Sequence, residues 1–146
     1  MYDLDKQIGY KLRLAQQRHL EIFNDLLPEI TPTQFSIMVR LREEPNVSQN
    51  HLGRKVHMDA ATTKGVIDRL INRGWLKSTP SKLDKRLRNI SLTARGREYI
   101  DYATAAASEV SKQTLKPLSN AEQRQLLLLL DRIATDQSKT SLKAPL

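Results

Sequence analysis

The chain has 146 residues, 24 lysines and arginines against 16 aspartates and glutamates for a net charge of +8, 39% hydrophobic residues and only 5% aromatic ones. That length supports one core rather than two independent ones, and a composition frequent in Leu, Arg, Lys, Gln and Ala suits helices better than a sandwich or barrel. The absence of cysteine excludes disulfides, thiolate metal sites and thiol redox sensing. No apolar run approaches the length needed to cross a bilayer, and the opening MYDLDKQIGYKLRLAQQ lacks the apolar core and cleavage site of a signal peptide, so a cytoplasmic location is expected.

Apolar residues recur at Ile8, Leu12, Ala15, Ile22 and Leu26, with His19 on the same stripe, and predict a long amphipathic helix from about Asp3 to Leu27. Pro28 ends it. Thr31-Pro-Thr-Gln34 then supplies an N-cap, a proline at the first helical position and a glutamine at the third, which opens a second helix with Phe35, Met38, Val39 and Leu41 inward, closing before Pro45. Ser48 caps a short third helix, Gln49 to Val56, whose Leu52 and Val56 face inward and whose Gly53 lets a neighbouring helix come close. Asp59 caps a fourth, ending at Gly74, a natural position for a left-handed C-terminal residue. In that helix Thr63, Val66, Ile67 and Leu70 form the inner face, and Ala61, Thr62, Lys64, Gly65, Asp68 and Arg69 remain outside. Two short helices joined by a tight turn, the second presenting small, polar and basic residues outward, make a helix-turn-helix.

Two strand-like runs follow, Trp75 to Pro80 and Arg88 to Leu92, joined by a basic tip; they predict a β-hairpin wing. Trp75, just after the helix end, is expected to pack between wing and helices. Thr93 caps a long helix through about Lys116, Pro117 breaks it, and Ser119-Asn-Ala-Glu122 is a capping box that opens a last helix. The run Leu126 to Leu130 leaves that helix apolar nearly all round, and one protomer has too few other elements to cover it, so a homodimer is expected. The polar tail at 138–146 is expected to be flexible. The fold class is therefore mainly α with a small β-hairpin wing. Residues 1–146 form a single protomer, with a winged helix-turn-helix lobe at 31–92 and a helical dimerisation lobe built from 3–27 with 93–137.

The charge is not spread evenly. From Ser48 to Arg95 eleven basic residues stand against three acidic ones, an excess of eight that equals the whole net charge. Such a local excess marks a surface for a polyanion, because each neutralised phosphate releases condensed counterions. With a helix-turn-helix and a wing inside the same stretch, double-stranded DNA is the expected partner. Thr62 is placed to meet a base edge or a thymine methyl, Ala61 to offer a methyl contact, Lys64 to reach the groove and Arg69 to meet phosphate. In the wing, Lys82, Lys85 and Arg88 are assigned to backbone neutralisation and Arg86 to the minor groove. Asp84 in that loop would weaken binding unless it orients Arg86 or ties the wing to a neighbour.

The run DAATTKGVIDRLINRGWL, the DKR of the wing and the LTARG opening the next helix resemble the recognition helix, wing Asp-x-Arg motif and strand-to-helix junction of the MarR family, and the flanking helices match that family's dimerisation lobe. The resemblance implies a homodimer on a pseudo-palindromic operator that represses genes and lets go when a small ligand binds. Gly65, where many relatives carry a polar or basic side chain, and Trp75, where an aliphatic is usual, depart from the pattern. The opening Tyr10-Lys-Leu-Arg13-Leu-Ala-Gln-Gln-Arg18-His19 and the run SQNHLGRKVHMDAATTKGV are also similar to regulators within the family that control breakdown of aromatic acids. That similarity implies a small aromatic carboxylate effector between the lobes, with Arg13 or Arg18 as its cation, His19 hydrogen-bonding a ring substituent and Phe35, Met38 and Val39 lining the apolar part. His19 as an ordinary core histidine and the two arginines as surface ion-pair partners are the competing readings.

No metal and no cofactor are expected: His51 and His57 have no zinc-like spacing and no cysteine beside them, and a surface or phosphate-contact role suits both better. No nucleophile with its base, paired carboxylates or Gly-rich phosphate loop supports an enzyme. An architectural, sequence-indifferent binder without an effector is the alternative, but such a protein would spread its charge and use intercalating aromatics.

Overall fold

A computed structural model describes residues 1–136 of the chain; the tail expected to be flexible lies outside the described residues. Asp3 caps a single 3-10 turn, Leu4–Lys6, and extended Gln7 separates that turn from α1, Ile8–Leu26. The one helix expected from Asp3 is therefore two pieces. The expected apolar stripe is also covered unevenly: Ile22 and Leu26 are half-buried and Ile8, Leu12 and Ala15 exposed, while the fully buried residues, Phe23 and Leu27, lie one position beside it. Only the C-terminal half of α1 packs on the rest of the chain.

Thr31 and Gln34 form the full capping box that opens α2, Pro32–Glu43, with Pro32 in its first turn. The inner face of α2 is Gln34, Ile37, Met38 and Leu41, while Phe35 and Val39, expected inward, are only half-buried and sit at its edge. Ser48 caps α3, Gln49–Lys55, and Asp59 caps α4, Ala60–Asn72, each accepting a backbone N–H three residues on. The buried face of α4 is Thr63, Val66, Ile67 and Leu70, as its spacing predicts. Gly74, at φ +80, ends α4 in a Schellman arrangement, with Gly74 N–H on the Ile71 carbonyl at 2.9 Å and Trp75 N–H on the Leu70 carbonyl at 3.1 Å.

The wing is larger than a two-stranded hairpin. Strands β2, Leu76–Pro80, and β3, Arg88–Leu92, pair antiparallel from Leu76 opposite Leu92 to Pro80 opposite Arg88, and a two-residue strand β1, Val47–Ser48, pairs with the other side of β3. Two residues carry no period, which is why the sequence pattern did not reveal β1. β3 is thus central, and Ile90, Ser91 and Leu92 are buried, while Pro80 ends an edge strand where no ladder donor is needed. α5, Ala94–Leu115, is capped by Thr93, and α6, Asn120–Ala134, by a capping box of Ser119 and Glu122. The core lies where α2, α3, α4, β3 and α5 meet, around Ile37, Met38, Leu41, Leu52, Ile67, Leu70, Ile90 and Ile100. Helix α6 contributes no buried residue.

One glycine fixes how α5 joins the rest. A Cβ on Gly96 would lie 2.0 Å from the Trp75 carbonyl oxygen and 2.9 Å from its carbon, so only glycine lets the first turn of α5 rest on the backbone between α4 and β2. Gly65, in contrast, has nothing within 4 Å of where a Cβ would stand and sits inside a helix, where glycine is unfavourable. Gly96→Ala is therefore expected to lower unfolding free energy by about 1–3 kcal/mol or more, and Gly65→Ala to raise it by roughly 0.5–1 kcal/mol. Chemical denaturation of the two variants checks both signs.

Candidate nucleic-acid interface

The helix-turn-helix rests on a close crossing. A Cβ on Gly53 would come within 2.9 Å of Thr63 Oγ1 and 3.3 Å of the Met58 carbonyl, so Gly53 allows the approach its position predicts. Thr63 is fully buried and its hydroxyl donates to the Asp59 carbonyl at 2.7 Å. Between the helices His57 adopts φ +57, and Met58 N–H closes the turn on the Gly53 carbonyl at 2.9 Å.

This crossing sets the outward face of α4. Asp59 accepts the Thr62 N–H at 2.7 Å and the Thr62 hydroxyl at 2.9 Å, and these bonds hold its carboxyl below the usual aspartate range. With its hydrogen directed at Asp59, the Thr62 hydroxyl can act outward only as an acceptor, beside its methyl group. Ala61, Thr62, Lys64, Asp68 and Arg69 are exposed and Gly65 is half-buried on the same surface. Lys64 pairs with Asp68 at 2.8 Å one turn on, an exposed pair of small energetic weight that a phosphate can outcompete.

The wing tip is a built turn. Leu83 N–H donates to Ser81 Oγ at 3.2 Å, Ser81 N–H to the Leu87 carbonyl at 2.9 Å and Leu87 N–H to the Asp84 carbonyl at 3.0 Å. The Asp84 carboxylate accepts the Arg86 N–H at 3.0 Å and its Nε and Nη2 at 3.2 Å each, which lowers the Asp84 pKa, the side-chain bond being the larger cause. Asp84 thus aims the Arg86 side chain, which is 89% exposed. Lys82 and Lys85 are exposed beside it, whereas Arg88 is fastened along β2, with Nε on Ser78 Oγ and Nη2 on the Ser78 carbonyl, both at 2.9 Å.

Behind the interface, Trp75 is buried as expected. Tyr99 stacks on it at 4.0 Å and 13°, and the Arg73 guanidinium lies 3.9 Å from its centroid; two groups this close cannot share a face, so the indole is sandwiched. Arg73 also donates to the Glu29 carbonyl, and Tyr99 OH donates to Glu29 Oε2 at 3.2 Å. Burial first, and then the Glu29 charge, push the Tyr99 phenol up to about 12. Neither Arg73 nor Glu29 had a sequence signal for this role, since Tyr99 and Glu29 reach Trp75 and Arg73 from distant parts of the chain.

The residues expected to hold an effector are not gathered into one cavity within the described residues. Arg18 donates to the Thr114 carbonyl at 2.8 Å and the Gln113 carbonyl at 2.9 Å, at the C-terminal end of α5, and His19 Nδ1 is 2.9 Å from Thr114 Oγ1. Arg13 faces a separate shallow depression with Gln16, Gln17, Leu20 and Glu21, its guanidinium 5.3 Å from the Tyr10 ring centroid. Phe35 and Val39 edge a third depression, with Arg40, Lys55 and His57 at its rim, and Met38 is fully buried in the core. His51 faces Glu44 at 3.3 Å rather than His57, and Lys55 and His51 together hold the Glu44 carboxyl below its usual range. Among the described residues no group of three or more His, Cys, Asp or Glu is placed to hold a metal ion, and no helix of theirs is long and apolar enough to cross a membrane.

A family model described as MarR family matches residues 30–87, which span the helix-turn-helix and the wing tip. The HTH-type transcriptional repressor NicR of Pseudomonas putida is 31% identical over 134 residues, covering 90% of this chain and 85% of NicR. A probable transcriptional regulator from Pseudomonas aeruginosa shares 43% identity and superposes with a TM-score of 0.86 over 90% of this chain and 99% of its own. BpsR of Bordetella bronchiseptica, whose DNA binding is regulated by 6-hydroxynicotinic acid, shares 29% identity with a TM-score of 0.90 over 94% of this chain and 99% of its own. An exposed polar face on α4, a basic wing with its arginine held by an aspartate, and these likenesses across nearly the whole chain agree: the protein belongs to the MarR family of winged helix-turn-helix DNA-binding transcriptional regulators.

Proposed function

We propose that this regulator is a ligand-responsive repressor that binds a pseudo-palindromic operator as a homodimer and is released by a small aromatic acid. The observation that carries the reading is the segregation of its surface. All the net charge lies at 48–95, around α4 and the wing, while Ile8, Leu12, Leu126, Leu127, Leu128, Leu129 and Ile133 make an exposed apolar set on α1 and α6, with Leu83 and Leu87 at the wing tip the exposed leucines of the charged segment. The first surface suits a polyanion. The second suits a second copy of the chain, because an apolar face of this extent is unfavourable in water. On this reading residues 31–92 are the DNA-binding lobe, and α1, α5 and α6 the dimerisation lobe.

In the operator complex, Ala61, Thr62, Lys64 and Gly65 meet the major groove, Arg69, Lys82, Lys85 and Arg88 the phosphates, and Arg86 a minor groove, aimed by Asp84. Lys82→Ala is expected to weaken binding to operator and random DNA alike and to shallow the dependence of log K on log salt by about one unit per protomer, about two for the dimer. Thr62→Ala should instead cost on the order of 1–3 kcal/mol, mainly on the operator. Titrations on both DNAs separate these; an equal loss for Thr62→Ala on both would remove it from base reading.

The dimer is expected to be obligate, since interlocking α1 and α6 with a partner buries a surface in the range of permanent interfaces. Sedimentation at micromolar protein and high salt should show only the dimer, and a folded monomer there contradicts the reading.

For the effector, BpsR supplies the precedent of regulation by a hydroxylated ring acid. Arg13 is the better cation for its carboxylate, because Arg18 is already bonded to two α5 carbonyls. His19 takes a ring substituent, Phe35 and Val39 form the apolar wall, and the partner protomer completes the enclosure. A ligand can shift the equilibrium only by binding the released geometry more tightly than the DNA-bound one. Calorimetry with hydroxylated benzoates and hydroxynicotinates should give binding to wild type that is weakened in Arg13→Ala and His19→Ala. No heat from any of these acids, or unchanged binding in both variants, removes this site.

A further inference from the structure

Leu83 is 99% exposed at the wing tip, and none of the DNA contacts assigned above uses it. A single exposed leucine is ordinary on a protein surface, but the setting of this one is not. Its backbone is fixed: the N–H donates to Ser81 Oγ, Ser81 is itself buried, and the turn is closed by the bonds from Ser81 to Leu87 and from Leu87 to Asp84. The same turn carries Leu87, 50% exposed, so two leucines stand among Lys82, Lys85, Arg86 and Arg88. A tip that is both basic and apolar, on an element already devoted to DNA, fits a surface with anionic edges and an apolar interior. A minor groove has those features, with phosphates along its rims and the C–H faces of deoxyribose as its walls.

We propose that Leu83 is a DNA-contacting residue that buries its side chain against the deoxyribose walls of the minor groove entered by Arg86. Proteins that use this groove combine cationic and apolar side chains, the cation drawn by the potential and the apolar group gaining from desolvation. The two contributions differ in one measurable respect. Contacts to phosphate release counterions and weaken as salt rises, whereas apolar burial adds an increment that salt leaves unchanged.

The inference rests on the reading of the wing as a minor-groove element, so its test includes variants of that reading. Full-length wild type, Leu83→Ser, Leu83→Met, Lys85→Ala and Arg86→Ala are titrated on an operator duplex between about 50 and 200 mM salt. Leu83→Ser is expected to bind roughly tenfold more weakly at every salt concentration with an unchanged slope, and Leu83→Met to bind like wild type. Lys85→Ala should shallow the slope by about one unit per protomer, about two for the dimer. Thermal unfolding and sedimentation of Leu83→Ser should match wild type, because the side chain supports neither core nor dimer. Wild-type affinity in Leu83→Ser alongside a loss in Arg86→Ala overturns the role of Leu83 and leaves the wing reading standing. No loss in either Arg86→Ala or Lys85→Ala overturns the wing reading itself. A changed salt slope or an altered sedimentation coefficient in Leu83→Ser also overturns the inference.

Discussion

The backbone joint between the end of α4 and the start of α5 sets the geometry of everything that faces DNA. Gly74 turns the chain through a left-handed conformation, its carbonyl accepts the Thr93 hydroxyl at 2.6 Å, and the Trp75 carbonyl accepts the Thr93 N–H at 3.0 Å. Thr93 Oγ1 in turn accepts the Gly96 N–H at 3.0 Å, and Gly96 lies directly on the Trp75 backbone. Four elements, α4, β2, β3 and α5, therefore meet at a site joined by backbone contacts and the short Thr93 side chain. The stack of Arg73, Trp75 and Tyr99 closes over it and ties it through Glu29 to the segment between α1 and α2. A displacement of α5 relative to α1 has little slack to absorb it before it reaches α4 and the wing. That is the mechanical property the proposed release by a ligand would require.

The same economy governs the two elements proposed to face DNA. On α4, one aspartate caps the helix and orients Thr62; in the wing, another closes the tip and aims Arg86. Each carboxylate lies in a strongly basic region and would oppose a polyanion if it stood free. By accepting hydrogen bonds from the groups it positions, each exchanges some net attraction for a defined direction. Phosphate contacts supply affinity without sequence information, so side chains held in fixed directions are where discrimination arises.

Much of this was legible in the sequence, because caps and inner faces are local. Thr31 with Gln34, Ser48, Asp59, Thr93 and Ser119 with Glu122 all cap the helices they were expected to open, and Thr63, Val66, Ile67 and Leu70 face inward. What escaped was non-local. Strand β1 is too short to show alternation and exists because Val47 finds Ile90. The stack on Trp75 brings in Tyr99, and Glu29 bonded to it, from across the fold. The expected stripe of α1 passes through Ile22 and Leu26, yet the residues that meet this chain's own core are Phe23 and Leu27 beside it, and period alone does not say what covers a face: Ile8 and Leu12 are exposed. Arg18 and His19 were singled out for a ligand, yet both meet the end of α5. A cation on an amphipathic helix satisfies a neighbouring helix's orphan carbonyls as readily as it awaits a carboxylate.

The central claim is that the α4 face and the wing read DNA together, in duplicate, on a symmetric site. Selection of the full-length protein on a random-sequence duplex library tests it most directly. The account predicts enrichment of an inverted repeat whose half-sites are centred about one helical turn apart, flanked by A·T-rich steps where the Arg86 wing enters. Retention of DNA with no enriched repeat would contradict it and leave a basic protein that binds the duplex by charge alone.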